Sequence, residues 1–440
     1  MEHIKFHYRS LQDLRKELAR LQVTLPLEEN TAVLGKPISF GQVTLPNRLA
    51  IAPMEGADSL PDGSPSEMTR RRYLRFAEGG ASLLWFEAVA VVPEGRSSPK
   101  QLMLNRNTLP AFQKMLEEVR QAGYKKNGYV PYLVMQANHS GRYAKPNGTS
   151  EPIIAYHHPV YEAAKPVDSS RIATDEYLKR LEEQFGEAAL LCREAGFDAV
   201  DIKSCHGYLF AEFASAFTRK GPYGGSFENR TRLLRNAVNN AQAARTKKFL
   251  VTARIGIYDG FAYPYGFGSS TDGSQKPDYT EPVKLIQMLH QEMGMSFLNL
   301  TMGNPYQNTH VTRPYDMGKY VPPEHPLEGV ARMYEGCHHI KKQFPNLVVS
   351  ASAPSYLRAF SPALAAGAVV RGCCDFVCFG RLAFAYPNFP NTILQTGGID
   401  EKKCCITCGK CGDLIRAGLP TGCVVWDAQT YLEYYRQMNY

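Results

Sequence analysis

Side chains that could carry out proton-transfer chemistry stand in short clusters along the sequence. The densest cluster is KSCHGY, which contains Lys203, His206 and Tyr208. Lysine and histidine can donate hydrogen bonds to an oxygen that gains negative charge, and tyrosine can supply a proton. Gln136 and Arg254 stand near the ends of two other apolar segments. Each residue is ordinarily structural when it occurs alone, but several in register indicate one shared site.

Short apolar or β-branched segments precede these clusters and alternate with segments of helical periodicity. The eight predicted strands are LAIAPM (49–54), SLLWFEAVA (82–90), VPYLVMQA (130–137), FDAVDIK (197–203), FLVTARI (249–255), SFLNLT (296–301), LVVSAS (347–352) and DFVCFG (375–380). Parallel strands joined by right-handed helical crossovers produce this alternation, and eight repeats favour a closed (β/α)8 TIM barrel of the α/β class. In such a barrel the chemistry lies at the carboxyl ends of the strands.

Two further segments flank the predicted barrel, which spans residues 37–395. Residues 1–36 are predicted to be an N-terminal helical extension, because four leucines recur at helical spacing between positions 11 and 21. We expect this helix to pack on the barrel or on a second subunit of a homo-oligomer. Residues 396–440 are predicted to be a C-terminal cysteine-rich segment, since they hold five of the eleven cysteines.

The composition excludes several classes of protein. Hydrophobic residues make up 44% and charged residues 21% of the 440 residues, as in ordinary globular proteins. The net charge of +8 comes without a long run of Lys or Arg, so we expect no nucleic-acid partner. The N-terminus lacks the pattern of a signal peptide, and no apolar stretch approaches the roughly 18 residues of a membrane span. We therefore expect a cytoplasmic protein with no membrane partner, whose cysteines are reduced thiols or metal ligands.

The cysteines of the C-terminal segment have a metal-binding spacing. Cys405, Cys408 and Cys411 form CxxCxxC, and eleven residues separate Cys411 from Cys423. Short loops let three thiolates reach one face of a 4Fe-4S cluster while a distant fourth thiolate completes its ligation. Zinc, or a set of unliganded thiols, is compatible with the same spacing. The additional Cys404 is left out of the predicted ligand set.

The motifs at the strand ends form a series along the chain. They are APM after the first strand, EA after the second, QANHSGR after the third, KSCHGY after the fourth with FASAFTRKGPYGGSFENRTR beyond it, the arginine of the fifth and FGR at the eighth. In order and spacing they resemble the old yellow enzyme and 2,4-dienoyl-CoA reductase family over residues 37–390. HGYL with the later YGGSFENR is the most specific part of this resemblance.

The resemblance implies an FMN cofactor at the mouth of the barrel. An isoalloxazine ring needs hydrogen bonds at its pyrimidine edge and a cation near N1, and the phosphate needs backbone N–H groups and an arginine. By resemblance, Gln136 is the pyrimidine-edge amide and Arg254 is the cation. The residues implied to frame the ring are Pro53, Met54, Glu55 and Ala88. Those implied to hold the phosphate are Ala353, Gly380 and Arg381.

The resemblance also assigns a substrate site. Lys203 and His206 would bind the carbonyl oxygen of the substrate, and Tyr208 would protonate the carbon opposite the hydride. Two residues depart from the family pattern. Lys203 stands where the family has histidine, and Glu55 stands where a small residue such as Thr or Cys is usual. We expect Glu55 to alter the flavin potential or to contribute to substrate binding.

The function implied is that of an ene-reductase that transfers hydride from NAD(P)H through FMN to an α,β-unsaturated carbonyl compound. No GxGxxG opens a βαβ unit, so a further FAD and NAD(P)H domain like that of the dienoyl-CoA reductases is not expected. Hydride would then come from NAD(P)H bound over FMN, or electrons from a separate electron-donor protein. The alternatives are a demethylase- or dehydrogenase-type flavoprotein that exchanges electrons with a partner protein, and a non-catalytic flavin-binding scaffold.

Overall fold

The structure is a computed structural model that describes residues 2–318 and 320–438. Within these residues the strands are β1 (Ile38–Phe40), β2 (Val43–Leu45), β3 (Leu49–Ile51), β4 (Leu83–Ala90), β5 (Tyr132–Asn138), β6 (Ala199–Ile202), β7 (Leu250–Thr252), β8 (Arg254–Gly256), β9 (Phe297–Thr301), β10 (Val348–Ala351) and β11 (Phe376–Phe379). The helices are α1 (Leu11–Arg20), α2 (Glu67–Glu78), α3 (Leu109–Asn127), α4 (Pro159–Glu162), α5 (Asp175–Ala195), α6 (Leu209–Ala214), α7 (Phe227–Arg230), α8 (Arg232–Ala241), α9 (Thr280–Gln287), α10 (Thr309–Thr312), α11 (Pro326–Gln343), α12 (Ser361–Val370), α13 (Arg381–Ala385), α14 (Phe389–Thr396), α15 (Lys410–Arg416) and α16 (Ala428–Gln437).

Strands β3 to β11 form one parallel sheet that closes into a barrel. Their order is β7-β6-β5-β4-β3-β11-β10-β9-β8. β7 and β8 are two halves of one strand interrupted at Ala253, and β7 pairs with β6 while β8 pairs with β9. Eight strand positions therefore surround the axis, which confirms the predicted TIM barrel. The predicted strand 249–255 corresponds to β7 and β8, which together run from 250 to 256 with this interruption.

An antiparallel hairpin of β1 and β2 covers the amino-terminal end of the barrel. The ring of Phe40 lies 5.9 Å from that of Tyr132, 4.9 Å from that of Phe297 and 6.1 Å from that of Phe376, which are the first residues of β5, β9 and β11. This hairpin was not predicted, because each strand has only three residues. It fills one end of the barrel with aromatic side chains and leaves the carboxyl end for a ligand.

The two flanking segments pack against the barrel. Leu14 and Leu18 of α1 are buried in the main core, so of the two predicted packings the one onto the barrel is observed. At the other end of the chain, Asp427 accepts hydrogen bonds at 2.8 and 2.9 Å from Arg71 of α2. The backbone N–H of Thr421 donates to the carbonyl of Gly56 at 2.7 Å. These contacts place the C-terminal segment over the barrel mouth.

Among the described residues, no helix has both the length and the apolar character needed to cross a membrane.

Candidate functional site

A cavity of about 240 Å3 opens at the carboxyl ends of the barrel strands. All the residues that the sequence analysis assigned to the flavin or the substrate line this cavity: Pro53, Met54, Glu55, Ala88, Gln136, Lys203, His206, Tyr208, Arg254, Ala353, Gly380 and Arg381. The barrel therefore brings together residues from the ends of most of its strands. The cavity is called the main cavity below.

Asp201 of β6 is a buried carboxylate that organises the floor of the main cavity. It accepts hydrogen bonds from Trp85 Nε1 at 2.8 Å, from Gln136 Nε2 at 2.7 Å and from the backbone N–H of Arg254 at 2.5 Å. Burial raises the pKa of Asp201 to about 6, and the hydrogen bonds oppose this shift. The carboxylate fixes the Gln136 amide and the first residue of β8 relative to each other.

Glu87, in the EA motif of β4, holds the loop after β3. Its carboxylate accepts hydrogen bonds from the backbone N–H of Gly56 at 2.8 Å and from Arg72 Nη2 at 2.6 Å. Arg72 is itself paired with Asp58, and the three charged side chains are buried. A Cβ at Gly56 would lie 2.2 Å from the Arg72 guanidinium, so the loop requires glycine there. This network sets the positions of Pro53, Met54 and Glu55 beside the cavity.

Lys203, His206 and Tyr208 follow β6 and face the same space. Lys203 is 6% exposed, and its Nζ lies 3.8 Å from the centroid of the Tyr208 ring. Its side chain is therefore not directed at solvent. His206 has a left-handed φ of +66°, an uncommon conformation for a residue other than glycine, and its Nε2 lies 3.2 Å from Thr301 Oγ1. The Tyr208 hydroxyl lies 2.9 Å from the Tyr306 hydroxyl.

Burial decides the protonation states of these groups. It lowers the pKa of Lys203 to about 8, so the side chain is mostly a cation at neutral pH. It also lowers the pKa of His206 far below its ordinary value, and the neighbouring Arg254 adds to that shift. His206 is therefore a neutral imidazole. Burial raises the pKa of the Tyr208 phenol well above its usual range, so this group carries its proton.

Glu55 is a carboxyl group at the edge of the main cavity. It accepts a hydrogen bond from Ser97 Oγ, and Lys203 interacts with it electrostatically. Burial raises the pKa of Glu55, while Ser97 and Lys203 oppose that shift. These contacts hold the Glu55 carboxyl group between Ser97 and Lys203.

The opposite end of the main cavity is suited to a phosphate. Arg381 Nη1 at this end is a buried nitrogen without a hydrogen-bond partner among the described residues, and so is Arg254 Nε, which lies nearer to Lys203 and His206. Arg313 lines the same wall, and its pKa is lowered by burial and then by the nearby Arg381. A Cβ at Gly380 would lie 2.6 Å from Met54 Sδ, so the backbone at Gly380 packs closely against the loop after β3. Two adjacent guanidinium groups and free N–H donors fit an anion, so these residues fit the FMN phosphate and the negative charge near flavin N1.

Ala353 has a left-handed φ of +66° beside this end of the cavity. Alanine is disfavoured at positive φ, so the surrounding packing holds the backbone in this conformation. The conformation also turns the chain after β10 toward the cavity.

Several residues of the site were not assigned by the sequence analysis: Asp201, Tyr306, Arg313 and Arg416. A signal existed for Asp201, because it is a charged residue inside a predicted apolar strand. Tyr306 lies in the turn between β9 and the short helix α10, Arg313 directly follows α10, and Arg416 lies in α15 of the C-terminal segment. Only tertiary contacts bring the last three to the main cavity.

The predicted cluster ligands Cys405, Cys408, Cys411 and Cys423 line a second cavity of about 20 Å3. Arg381, Phe384 and Cys411 line both cavities, so the two adjoin. In residues 2–318 and 320–438, no three His, Cys, Asp or Glu side chains are arranged to ligate a metal ion. Thiolates are ligands of both iron-sulfur clusters and zinc, so the cluster ligation stays a prediction.

Comparison with known proteins matches residues 33–272 to the NADH:flavin oxidoreductase / NADH oxidase family. The NADPH dehydrogenase of Bacillus subtilis (strain 168) is 33% identical over 212 residues, which are 47% of this chain and 59% of that protein. The NADH oxidase of Thermoanaerobacter brockii is 28% identical over 399 residues, which are 88% of this chain and 54% of that protein. The chain thus spans between half and two thirds of the length of these relatives.

A solved structure has the same barrel. The old yellow enzyme homologue from Zymomonas mobilis superposes with a TM-score of 0.62 at 22% identity, covering 83% of this chain and 94% of that one. At this identity the similarity shows the fold alone.

Proposed function

Because the chain belongs to the NADH:flavin oxidoreductase / NADH oxidase family, we propose that it is an FMN-dependent ene-reductase. In this proposal it uses NAD(P)H to reduce the carbon-carbon double bond of an α,β-unsaturated carbonyl compound. One observation carries the proposal: the proton donor, two donors for a carbonyl oxygen and the residues that fit FMN line one cavity.

The residues of the main cavity have distinct tasks in this reaction. When bound, FMN would take hydride from NAD(P)H and deliver it to the β-carbon of the substrate. Lys203 and His206 hold the carbonyl oxygen and stabilise the negative charge that develops on it, by about 2.7 to 4 kcal/mol per donor if each acts as an oxyanion-hole group. Tyr208 transfers its phenolic proton to the α-carbon. Because Lys203 is only 6% exposed, little water screens its interaction with the negative charge on the carbonyl oxygen.

A second candidate function is electron exchange with a partner protein. The observation that favours it is the shared wall between the main cavity and the cysteine-lined cavity, formed by Arg381, Phe384 and Cys411. A cluster in the second cavity would lie next to the phosphate end of the main cavity. Electrons from a donor protein could then replace NAD(P)H as the source.

The test separates the two half-reactions of the anaerobically purified protein by stopped-flow absorbance at the flavin band. We expect NAD(P)H to bleach the flavin and 2-cyclohexenone to restore its colour. Tyr208→Phe removes only the acidic hydroxyl, so bleaching should persist while recolouring slows by roughly 100- to 10,000-fold, the usual loss for a general acid.

Tyr177→Phe is the matched control, because it removes a phenol outside the main cavity that bonds His139 at 2.8 Å. Its recolouring rate should be unchanged. An unchanged rate in Tyr208→Phe would remove this tyrosine from the mechanism. Recolouring only by an oxidised carrier protein would favour the second candidate, and absence of bleaching by any donor would favour a non-catalytic flavin-binding scaffold.

A further inference from the structure

Tyr208 is a buried acid that must be recharged after each turnover. Its side chain is 5% exposed, and its ring is covered on one side by the Lys203 ammonium at 3.8 Å from the ring centroid. Donating its proton to a substrate carbon would by itself leave a phenolate without direct access to bulk water. A proton must therefore arrive through a neighbouring group.

The neighbour in position to deliver this proton is Tyr306. The two hydroxyl oxygens are 2.9 Å apart, which is a normal distance for an O–H···O hydrogen bond. Tyr306 is 42% exposed, whereas Tyr208 is buried, so the pair connects the cavity interior with its rim. Both side chains line the main cavity.

Tyr306 is held in this place by its own set of contacts. Its ring stacks on that of Tyr143 with centroids 3.9 Å apart and an interplanar angle of 18°. Its backbone N–H donates to Asn304 Oδ1 at 2.9 Å, and Asn304 Nδ2 donates to the Tyr143 hydroxyl at 2.8 Å. The Tyr143 hydroxyl thus supports the loop, while the Tyr306 hydroxyl is directed at Tyr208. An exposed aromatic residue that only packed on the surface would not need this arrangement.

The charges around the pair suit a transient phenolate at Tyr208. Lys203 lies over its ring and is a cation at neutral pH, so it stabilises negative charge there. Although Tyr306 is partly exposed as a residue, the dense packing around its hydroxyl raises its pKa to about 12, and the hydrogen bond from Tyr208 opposes that shift. Both phenols therefore hold a proton before the reaction, and a proton can pass along the pair without a charged resting state.

We propose that Tyr306 is a proton-relay residue that returns a proton from solvent to Tyr208 during each reduction. The inference rests on the proposed ene-reductase function. In the step, the Tyr208 O–H bond breaks as a C–H bond forms at the substrate α-carbon, while hydride adds to the β-carbon. In the same step the Tyr306 O–H bond breaks as the Tyr208 O–H bond re-forms, and a proton from solvent afterwards restores Tyr306. Two protons move in the reduction step and a third returns from solvent, while the substrate gains one hydride and one proton.

The experiment uses the FMN-loaded full chain with Tyr306→Phe, which keeps the stacked ring and loses the hydroxyl. We expect bleaching by NAD(P)H to match the wild type and recolouring by 2-cyclohexenone to be slower by about tenfold or more, below the loss in Tyr208→Phe. In mixtures of H2O and D2O, recolouring of the wild type should depend on deuterium content along a curve, because two protons move. In Tyr306→Phe the dependence should become linear.

Tyr177→Phe is the control here as well, because its hydroxyl bonds His139 at 2.8 Å and the residue does not line the main cavity. It should keep the curved dependence. A readout that needs no cofactor is the 19F resonance of 3-fluorotyrosine at position 208, which should shift in Tyr306→Phe and stay in place in Tyr177→Phe.

The relay is overturned if wild-type recolouring depends linearly on deuterium content, or if Tyr306→Phe recolours at the wild-type rate. These results differ from a failure of the proposed function, in which 2-cyclohexenone does not recolour the reduced wild-type protein at all.

Discussion

Lys203 shows at the level of one residue how burial changes a side chain's chemistry. The residue lies within a group of charged or ionisable neighbours that comprises Glu55, Asp201, Cys205 and Arg254. Burial lowers its pKa to about 8, and the negative neighbours oppose this shift. A lysine with its ordinary pKa would stay charged far into the alkaline range. Lys203 instead changes charge just above neutral pH.

We predict that the oxidative half-reaction slows as the pH rises through about 8. The folded-state pKa lies below the ordinary value, so the cation that binds the carbonyl oxygen is present below this pH and is lost above it. Lys203→Met should slow recolouring at pH 7 by roughly 100- to 1,000-fold, as for loss of an oxyanion-hole donor, and should lack the alkaline decline. The measurement is the recolouring rate by 2-cyclohexenone between pH 6 and 10.

Lys145→Met, at an exposed position, is the control and should keep both the rate and the alkaline decline. The same decline in Lys203→Met would assign the titration to another group.

At the level of elements, the site depends on the segments that leave the carboxyl ends of the strands. The chain after β10 turns at Ala353, Gly380 and Arg381 follow β11, and the segment between β9 and α11 supplies Arg313. The Arg381 Nη2 donates to the carbonyl of Pro314 at 2.7 Å, which fixes the guanidinium and leaves Nη1 free for a ligand. Three separate elements thus build the end of the cavity that fits a phosphate.

We predict that Arg381→Ala weakens FMN binding by roughly 10- to 100-fold, because hydrogen bonds to a charged group contribute about 1.5 to 3 kcal/mol. The dissociation constant can be measured by flavin fluorescence quenching when apoprotein is titrated into FMN. Arg371→Ala, at an exposed position before β11, should bind FMN like the wild type. Equal affinity in Arg381→Ala and the wild type would contradict the phosphate assignment.

At the level of the whole molecule, the C-terminal segment completes the site. Asp427 ties it to α2 through Arg71 and Arg75, and Thr421 ties it to the loop after β3. Arg416 of this segment lines the main cavity, and four of its cysteines line the second one. A cluster in the second cavity would therefore join the segment to the barrel close to the cofactor end of the main cavity.

We predict that protein purified without oxygen contains about four irons per chain, as a 4Fe-4S cluster requires. Cys408→Ser should lose most of this iron, because it removes one of the thiolates. Iron and acid-labile sulfide can be measured together with the visible absorption spectrum.

Cys404→Ser is the matched control. Cys404 is buried and its Sγ contacts the carbonyl of Asp400 at 3.3 Å, but it does not line the cysteine cavity, so this variant should keep its iron. Zinc, the absence of metal, or equal iron loss in both variants would contradict the ligand set.

The sequence by itself determined the barrel and most of the residues at its mouth. The strands of a parallel barrel are buried, so the sequence shows them as short runs of apolar residues. The polar residues that follow these runs lie together at the carboxyl-terminal rim of the barrel. For this reason the sequence alone assigns Gln136, Lys203, Arg254 and Arg381 to one site. The hairpin of β1 and β2 escaped prediction because three-residue strands carry almost no periodic signal.

Only the tertiary structure decided the rest. Tyr306 and Arg313 flank the one-turn helix α10 in a segment whose path is set by contacts such as those of Asn304. Such a short, mostly irregular segment has no period from which the direction of a side chain can be predicted. Arg416 reaches the main cavity because ion pairs between Asp427 and α2 dock its segment across the chain. The pKa of Lys203 follows from burial, which depends on every element packed around it. Long-range packing therefore fixed the electrostatics and the proton path of a site whose main residues were visible in the sequence.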